Sequence, residues 1–442
     1  MKDYMKDLFL DTPAAKRLYE GVKDLPILDY HCHLGASVLR EDKPFGNLTD
    51  LWLSGDHYKW RAMRLAGVDE ALITGDAEKR EKFRAYASIL PRFVGNPLYY
   101  WSHLELKTLF GIEEPLNADN ADWIYDRANE ILSTLKPSDL MRRFRVEYFA
   151  TTDDPAEPLG VTGTVGGVRV SPTFRPDKVF LWDESYLEKL GNTSGVAVTD
   201  LTSLKRALSV RLDDFVSHGA RASDHGFDFF PEHYADERAA EEIFARRETA
   251  TPAERDALRG HLMLWLFGEY KKRGMTAQLH FSTMRNVNSA MFGALGPDAG
   301  FDVLRPFTGV EAAARFLDML TRADALPKTV LYTLDKNAMP ALAALTGAFR
   351  DARLGAAWWF NDTVSGIREQ LAVTAEYACF GNNLGMLTDS RSYASYVRFD
   401  FFRRILAGFV GGYVERGEYD PREAETLMRD ICYNNAKEFF GL

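Results

Sequence analysis

The chain has 442 residues, 46% hydrophobic and 27% charged, with a formal net charge of −10, a make-up that fits a globular enzyme. Such a charge excludes non-specific binding to nucleic acid or to an anionic membrane, which needs a basic surface. Three distant cysteines, Cys32, Cys379 and Cys432, make neither a disulfide framework nor a thiolate zinc cluster.

The opening MKDYMKDLFL is charged and lacks the apolar stretch of a signal peptide. No segment approaches the ~18–20 uninterrupted apolar residues of a membrane span. A reduced, cytoplasmic setting is expected. No repeat or Pro/Gly/Ser-rich linker divides the chain, so residues 1–442 read as one domain.

Eight strand-like runs follow in order: 27–33 (ILDYHCH), 146–152 (VEYFATT), 168–174 (VRVSPTF), 220–225 (ARASDH), 276–281 (TAQLHF), 329–334 (TVLYTL), 356–360 (AAWWF) and 384–389 (LGMLTD). Most are separated by helical patterns such as TPAERDALRGHLMLWLFGEYKKRG. Strands alternating with helices imply a parallel sheet, and eight units suggest a distorted (β/α)₈ TIM-type barrel. Two intervals break the rhythm. Residues 34–145 read as a large helical insertion after strand one, covering the active-site face. DDPAEPLGVTGTVGG, between strands two and three, is too rich in Gly and Pro for the helix that a parallel crossover normally needs.

The polar residues that look chemical fall at the C-terminal ends of these strands, where barrel active sites sit. They are His31 and His33, Thr152 to Asp154, Arg175, Asp224 and His225, His280, Asp335, Trp358 and Asp389. No glycine-rich phosphate loop competes with that picture.

Asp29, His31 and His33 share one face of strand one. Imidazoles are good zinc ligands, and Asp29 is placed to fix a ligand tautomer. A lone HxH pair is weak, but at the end of strand one it becomes a metal signal. Asp389 ends the last strand, which neighbours strand one in a closed barrel. Its plainer reading is a helix cap; together with HxH it reads as a third ligand or a proton carrier, with Arg391 at the rim. In GDHYKWRAMR, His57, Arg61 and Arg64 share a helix face. A solvated basic face is the default for Arg64, whereas His57 and Tyr58 start the helix where a loop turns them inward. Arg175 lies just past strand three, and His280 ends strand five with Arg285 behind it. Of the alternating Trp358 and Trp359, one is expected to face the lumen and one the helices.

Together DYHCHL, GDHYKWRAMR, TTDDP, RPDK, LGPDAGFD, WWFND and MLTDSRSYASYVRFDFFRRIL resemble the uronate isomerase (glucuronate isomerase) family of the amidohydrolase superfamily. The similarity runs from near Phe9 to the C-terminal ICYNNAKEFF. The resemblance implies a distorted barrel with one divalent metal, taken as Zn²⁺, held by His31, His33 and Asp389. It sets His57, Tyr58, Arg175, His280, Trp358 and Arg391 around the substrate. It further implies interconversion of D-glucuronate with D-fructuronate and of D-galacturonate with D-tagaturonate. The segments between strands two and three and between strands six and seven (DKNAMPALAALTGAFRDARLG) look shorter than the family's, which puts their crossover helices in doubt.

Moving a proton between C2 and C1 through an enediol needs a base, an acid and charge stabilisation. Tyr58, Asp389 and His57 are the proton carriers to consider. Tyr58 serves as a base only if a positive field, here from His57, Arg61 and the metal, lowers its pKa. Arg175 and Arg391 suit the substrate carboxylate. The expected partner is a small-molecule uronate, with no nucleic acid and no membrane; homo-oligomerisation stays open. The runner-up is a metal-dependent hydrolase on the same barrel, for which no strand-end lysine stands ready to bridge a second metal. A sugar-acid binding protein comes third, disfavoured by the number of titratable groups.

Overall fold

The computed structural model describes residues 5–442; the first four residues of MKDYMKDLFL lie outside it. In chain order the strands are β1 (Ile27–Asp29), β2 (Val146–Ala150), β3 (Gly163–Val165), β4 (Val168–Ser171), β5 (Ala222–Gly226), β6 (Thr276–Phe281), β7 (Thr283–Met284), β8 (Val303–Leu304), β9 (Thr329–Thr333) and β10 (Ala352–Leu354). They form two four-stranded sheets, β1-β2-β4-β3 and β10-β9-β6-β5, with β7 and β8 as a separate ribbon. Pairing is parallel except for β3 with β4 and β7 with β8.

Backbone bonds beyond the ladders tie these sheets to their neighbours. Phe174 N–H donates to the Ala222 carbonyl at 3.2 Å, and Asp224 N–H donates to the Phe174 carbonyl at 2.9 Å, linking the β4 strand's continuation to β5. After β1, Cys32 N–H reaches the Ala150 carbonyl (3.1 Å) and His33 N–H the Ser390 carbonyl (3.0 Å). Asp389 N–H returns to the His31 carbonyl at 3.2 Å.

Several sequence expectations are corrected here. Strand one ends at Asp29, so His31 and His33 lie on the irregular segment after it, which bends at His31 and is held alternately by the two neighbouring segments. The expected eighth strand, 384–389, forms no ladder, because Gly385 (φ 72°) and Asp389 (φ 46°) leave the strand region. The seventh strand lies at β10, before AAWWF. Gly355 ends it where a Cβ would stand 2.2 Å from the Tyr332 ring, so the chain turns off against that ring.

Between strands two and three no crossover helix is needed. TVGGV forms a tight hairpin in which Gly166 and Gly167, at φ 57° and 87°, occupy the two-residue turn between β3 and β4, the positive-φ pair that matches strand twist. The link between strands six and seven does hold a helix, Met339–Thr346.

Seven α-helices fall between residues 36 and 143. The long helix Pro252–Lys272 shows how local sequence sets such elements. Thr251 accepts the Glu254 N–H, Glu254 accepts the Thr251 N–H at 2.8 Å, and Pro252 fills the first turn.

Among the described residues three apolar clusters form the core: one under the helices of residues 36–143 and the C-terminal helix Val397–Glu415, one behind β5, β6 and β9, and one between the sheets. In the last, Tyr30 stacks on Phe440 at 4.6 Å, and Gln278 Nε2 donates to the Tyr30 carbonyl while accepting from the Tyr332 hydroxyl. No helix is long and apolar enough to cross a membrane among the described residues.

Candidate active site

A cavity of about 720 Å³ opens beside this interior and is lined by His31, His33, His57, Tyr58, Arg175, His280, Trp358, Asp389 and Arg391 among others. The structure thus brings these nine residues to one hollow, whereas His225 and Asp335, also at strand ends in the sequence, do not line it. At its floor, His31 Nε2 and His33 Nε2 converge on one oxygen, Asp389 Oδ1, at 3.3 and 3.1 Å. Ligand atoms each ~2.0–2.1 Å from one tetrahedral zinc ion stand about 3.3–3.4 Å apart, so the donor set and its spacing fit a metal. His31 also faces Asp224 and His280, a second buried group whose ligand atoms lie within 4.8 Å of one another.

The other oxygen, Asp389 Oδ2, accepts from the Tyr58 hydroxyl at 3.1 Å and from Trp358 Nε1 at 2.8 Å. Burial opposes ionisation of Asp389, yet the two imidazoles outweigh it and hold the carboxyl well below the usual carboxylate range. Burial and then the Asp389 charge push the Tyr58 phenol well above its ordinary value. Tyr58 therefore stands as a hydrogen-bond donor. The expected positive field around it is not what these residues supply. Burial and Arg391 lower the His57 pKa, and Arg61 turns away to the carbonyls of Gly300 and Asp302. His57 stacks on Tyr58 at 4.9 Å, and its buried Nε2 has no partner.

His280 is oriented by Asp224, whose Oδ1 accepts from Nδ1 at 2.7 Å. The ring lies flat on Tyr332, centroids 4.3 Å apart. Burial pulls the His280 pKa down to about 4 despite Asp224, so the ring is neutral and its unpartnered Nε2 offers a lone pair. Asp29 does not fix a histidine tautomer: its carboxylate accepts the Thr388 N–H (2.9 Å) and hydroxyl (2.6 Å), tying β1 to the segment that carries Asp389.

The arginines are engaged. Arg175 binds Asp177 through Nε at 2.9 Å and the fully buried Asp224 through Nη1 at 3.0 Å. Arg391 binds Asp298 at 2.8 Å and the Gly55 carbonyl at 3.3 Å. Arg64, whose default was a solvated face, instead chelates Glu70 with two bonds of 2.7 Å and packs on Phe301 at 4.2 Å. Trp358 and Trp359 both line the cavity. The alternation expected of a strand does not apply to them, since Trp359, at φ 49°, begins a 3₁₀ turn.

Sequence reasoning missed three contributors. Asp224 stands at a strand end in the sequence, but nothing there marks it as the residue that orients His280. Arg398, buried in the helix Val397–Glu415, stacks on Trp101 at 3.9 Å and donates to the Thr388 carbonyl at 2.7 Å; nothing in its helical spacing marks it. Asp298 lay in the quoted LGPDAGFD without a role. Backbone strain was invisible too: Asn286, Asp298, Trp359 and Asp389 all have positive φ and all line the cavity, the clustering expected where geometry serves a site.

Fold and site together define an α/β enzyme with a His/His/Asp centre suited to a divalent metal, in a hollow lined largely by polar side chains. The family model described as glucuronate isomerase matches residues 1–440. The chain is 42% identical to a uronate isomerase of Caldicellulosiruptor saccharolyticus, covering all of both chains. It superposes on the crystal structure of uronate isomerase from Thermotoga maritima with TM-score 0.95 at 34% identity, over 98% of this chain and 99% of that one. Glucuronate isomerase from Caulobacter crescentus gives TM-score 0.93 at 30% identity, over 99% and 97%. The chain belongs to the glucuronate isomerase family and is a uronate isomerase.

Proposed function

We propose that this enzyme interconverts D-glucuronate with D-fructuronate and D-galacturonate with D-tagaturonate through an enediol, at a single divalent metal held by His31, His33 and Asp389. The convergence of two imidazole nitrogens on one Asp389 oxygen, with Tyr58 and Trp358 on the other, carries this reading. The metal, zinc in the first instance, would polarise the sugar oxygens. The remaining steps belong to the chain. A base takes the C2 proton of the open-chain aldose while a donor protonates the carbonyl oxygen; the enediol then loses its O2 proton and gains one at C1. Asp389 and Tyr58 share one proton-bearing contact and so form the relay, with His57 stacked against the phenol as the third carrier. His280, neutral with a free Nε2, serves as an acceptor for a substrate hydroxyl. Arg391, at the mouth, is the clamp for the substrate carboxylate, and Trp358 lies against the sugar.

We read the two sheets as halves of one distorted barrel. The link from β4 through Phe174 to β5 joins the two sheets on one side, and residues 389–390 bond to the segment that follows β1 on the other. In this reading residues 34–145 form the helical insertion that covers the mouth of a single domain, and the enzyme works in the cytoplasm on a small-molecule partner.

Proton NMR of purified enzyme with D-glucuronate in D₂O tests the proposal. Fructuronate carrying solvent deuterium at C1 is expected. Failure to turn over either uronate after supplementation with Zn²⁺ or Mn²⁺ would overturn it.

A further inference from the structure

LGPDAGFD, residues 295–302, takes no part in the metal corner, yet Pro297 and Asp298 line the cavity. It belongs to an excursion after β6 that contains the β7–β8 ribbon and the short helix Ser289–Leu295. Three arginines hold it across the mouth. Arg61 donates to the carbonyls of Gly300 (3.5 Å) and Asp302 (3.1 Å), Arg64 donates to the Ala299 carbonyl, and Arg391 Nη2 meets Asp298 Oδ2 at 2.8 Å. Gly300, at φ 90°, allows the close seat, since a Cβ there would stand 3.0 Å from the His57 carbonyl oxygen.

The third contact differs in kind from the other two. Arg61 and Arg64 bind backbone carbonyls, groups that no solute replaces. Arg391 binds a side-chain carboxylate, the same group that a uronate carries. Its side chain is 36% exposed and that of Asp298 48%, so a solute reaches the pair from the cavity. Asp298 is held there with φ 59°, a conformation that aspartate tolerates better than most residues.

We propose that Asp298 is an internal stand-in for the substrate carboxylate, a positioning residue that keeps Arg391 aimed into the mouth and is displaced, one carboxylate for another, when a uronate binds. The proposal rests on the reading of Arg391 as the uronate clamp. Exchange leaves the ion pairing of Arg391 unchanged, so a uronate recovers the contact it breaks. A neutral aldose has nothing to offer in exchange and leaves the pair closed. Because Asp298 occupies Arg391 in the free enzyme, it lowers apparent uronate affinity by the fraction of time the pair is closed.

A four-member cycle tests it: the natural enzyme, Asp298→Asn, Arg391→Met and the double variant, assayed with D-glucuronate and titrated calorimetrically with D-gluconate, which has a carboxylate but no aldehyde. Asp298→Asn is expected to lower KM and the gluconate Kd by roughly two- to fivefold, the range of an exposed ion pair, with a smaller change in kcat. Arg391→Met is expected to raise both constants and to silence the effect of Asp298→Asn in the double variant. Asp298→Ser repeats the comparison if the Asn variant loses thermal stability. If Arg391→Met raises KM but removing the Asp298 carboxylate leaves KM unchanged or raises it, the stand-in is overturned while the clamp survives. If Arg391→Met leaves KM unchanged, the clamp reading fails and the stand-in falls with it.

Discussion

The floor and the mouth of this cavity are built differently. At the floor, His31, His33 and Asp389 ride on segments joined by backbone hydrogen bonds and by the buried Asp29–Thr388 contact, with His31 only 2% exposed. At the mouth, half-exposed side chains meet across excursions far apart in sequence, as Arg391 meets Asp298. Main-chain bonds in a water-poor interior hold geometry within narrow limits. Exposed ion pairs are worth little and exchange readily. A site that must orient reacting atoms and still admit an anion benefits from this division: chemistry on the rigid part, admission on the exchangeable part.

The largest effect should come from the floor. The double substitution His31→Ala/His33→Ala is expected to abolish bound metal and uronate turnover while the circular dichroism spectrum stays native-like; full metal occupancy by elemental analysis would refute the ligand assignment. Next is Tyr58→Phe, which removes one hydroxyl from Asp389. Turnover should fall roughly 10²–10⁴-fold, the range of a general acid–base contribution, with metal content intact. Turnover like that of the natural enzyme would move proton transfer to Asp389 or His57.

Arg175 lies between the two regimes. Because it neutralises the buried Asp224, Arg175→Met should destabilise the fold by on the order of 3 kcal/mol, read as a lowered urea midpoint. A raised uronate KM with the midpoint unmoved would instead make it a carboxylate clamp, as the sequence had led us to expect.

The smallest effect concerns the helix Pro97–Phe110. Burial holds His103 at about 4, below its usual 6.5, with Nδ1 on the Tyr99 carbonyl and Nε2 accepting from Leu116 N–H. The unfolded chain takes up this proton before the folded one does, so its contribution is present above about pH 6.5 and is lost as pH falls toward 4. The thermal midpoint should drop over that window, and the drop should be shallower in His103→Gln. Equal slopes would mean that other groups govern acid sensitivity.

Sequence alone determined which residues meet. Strand-end periodicity and the ordered motifs led to His31, His33, Asp389, His57, Tyr58, Arg175, His280, Trp358 and Arg391, all of which line one cavity. The parallel α/β plan was legible for the same reason: buried strands and amphipathic helices impose a local period that survives in any environment. Even the missing crossover had a local sign in the Gly- and Pro-rich DDPAEPLGVTGTVGG, which ends in Gly166-Gly167.

What each residue is bonded to was decided only in three dimensions. Arg175 and Arg391 look alike in sequence, but one is locked to buried Asp224 and the other to exposed Asp298, carboxylates about fifty and ninety residues away. The protonated, donating state of Tyr58 depends on Asp389, 331 residues distant. Partner choice and pKa depend on burial and on charges brought close by folding, and neither distance is written in the spacing of residues along the chain.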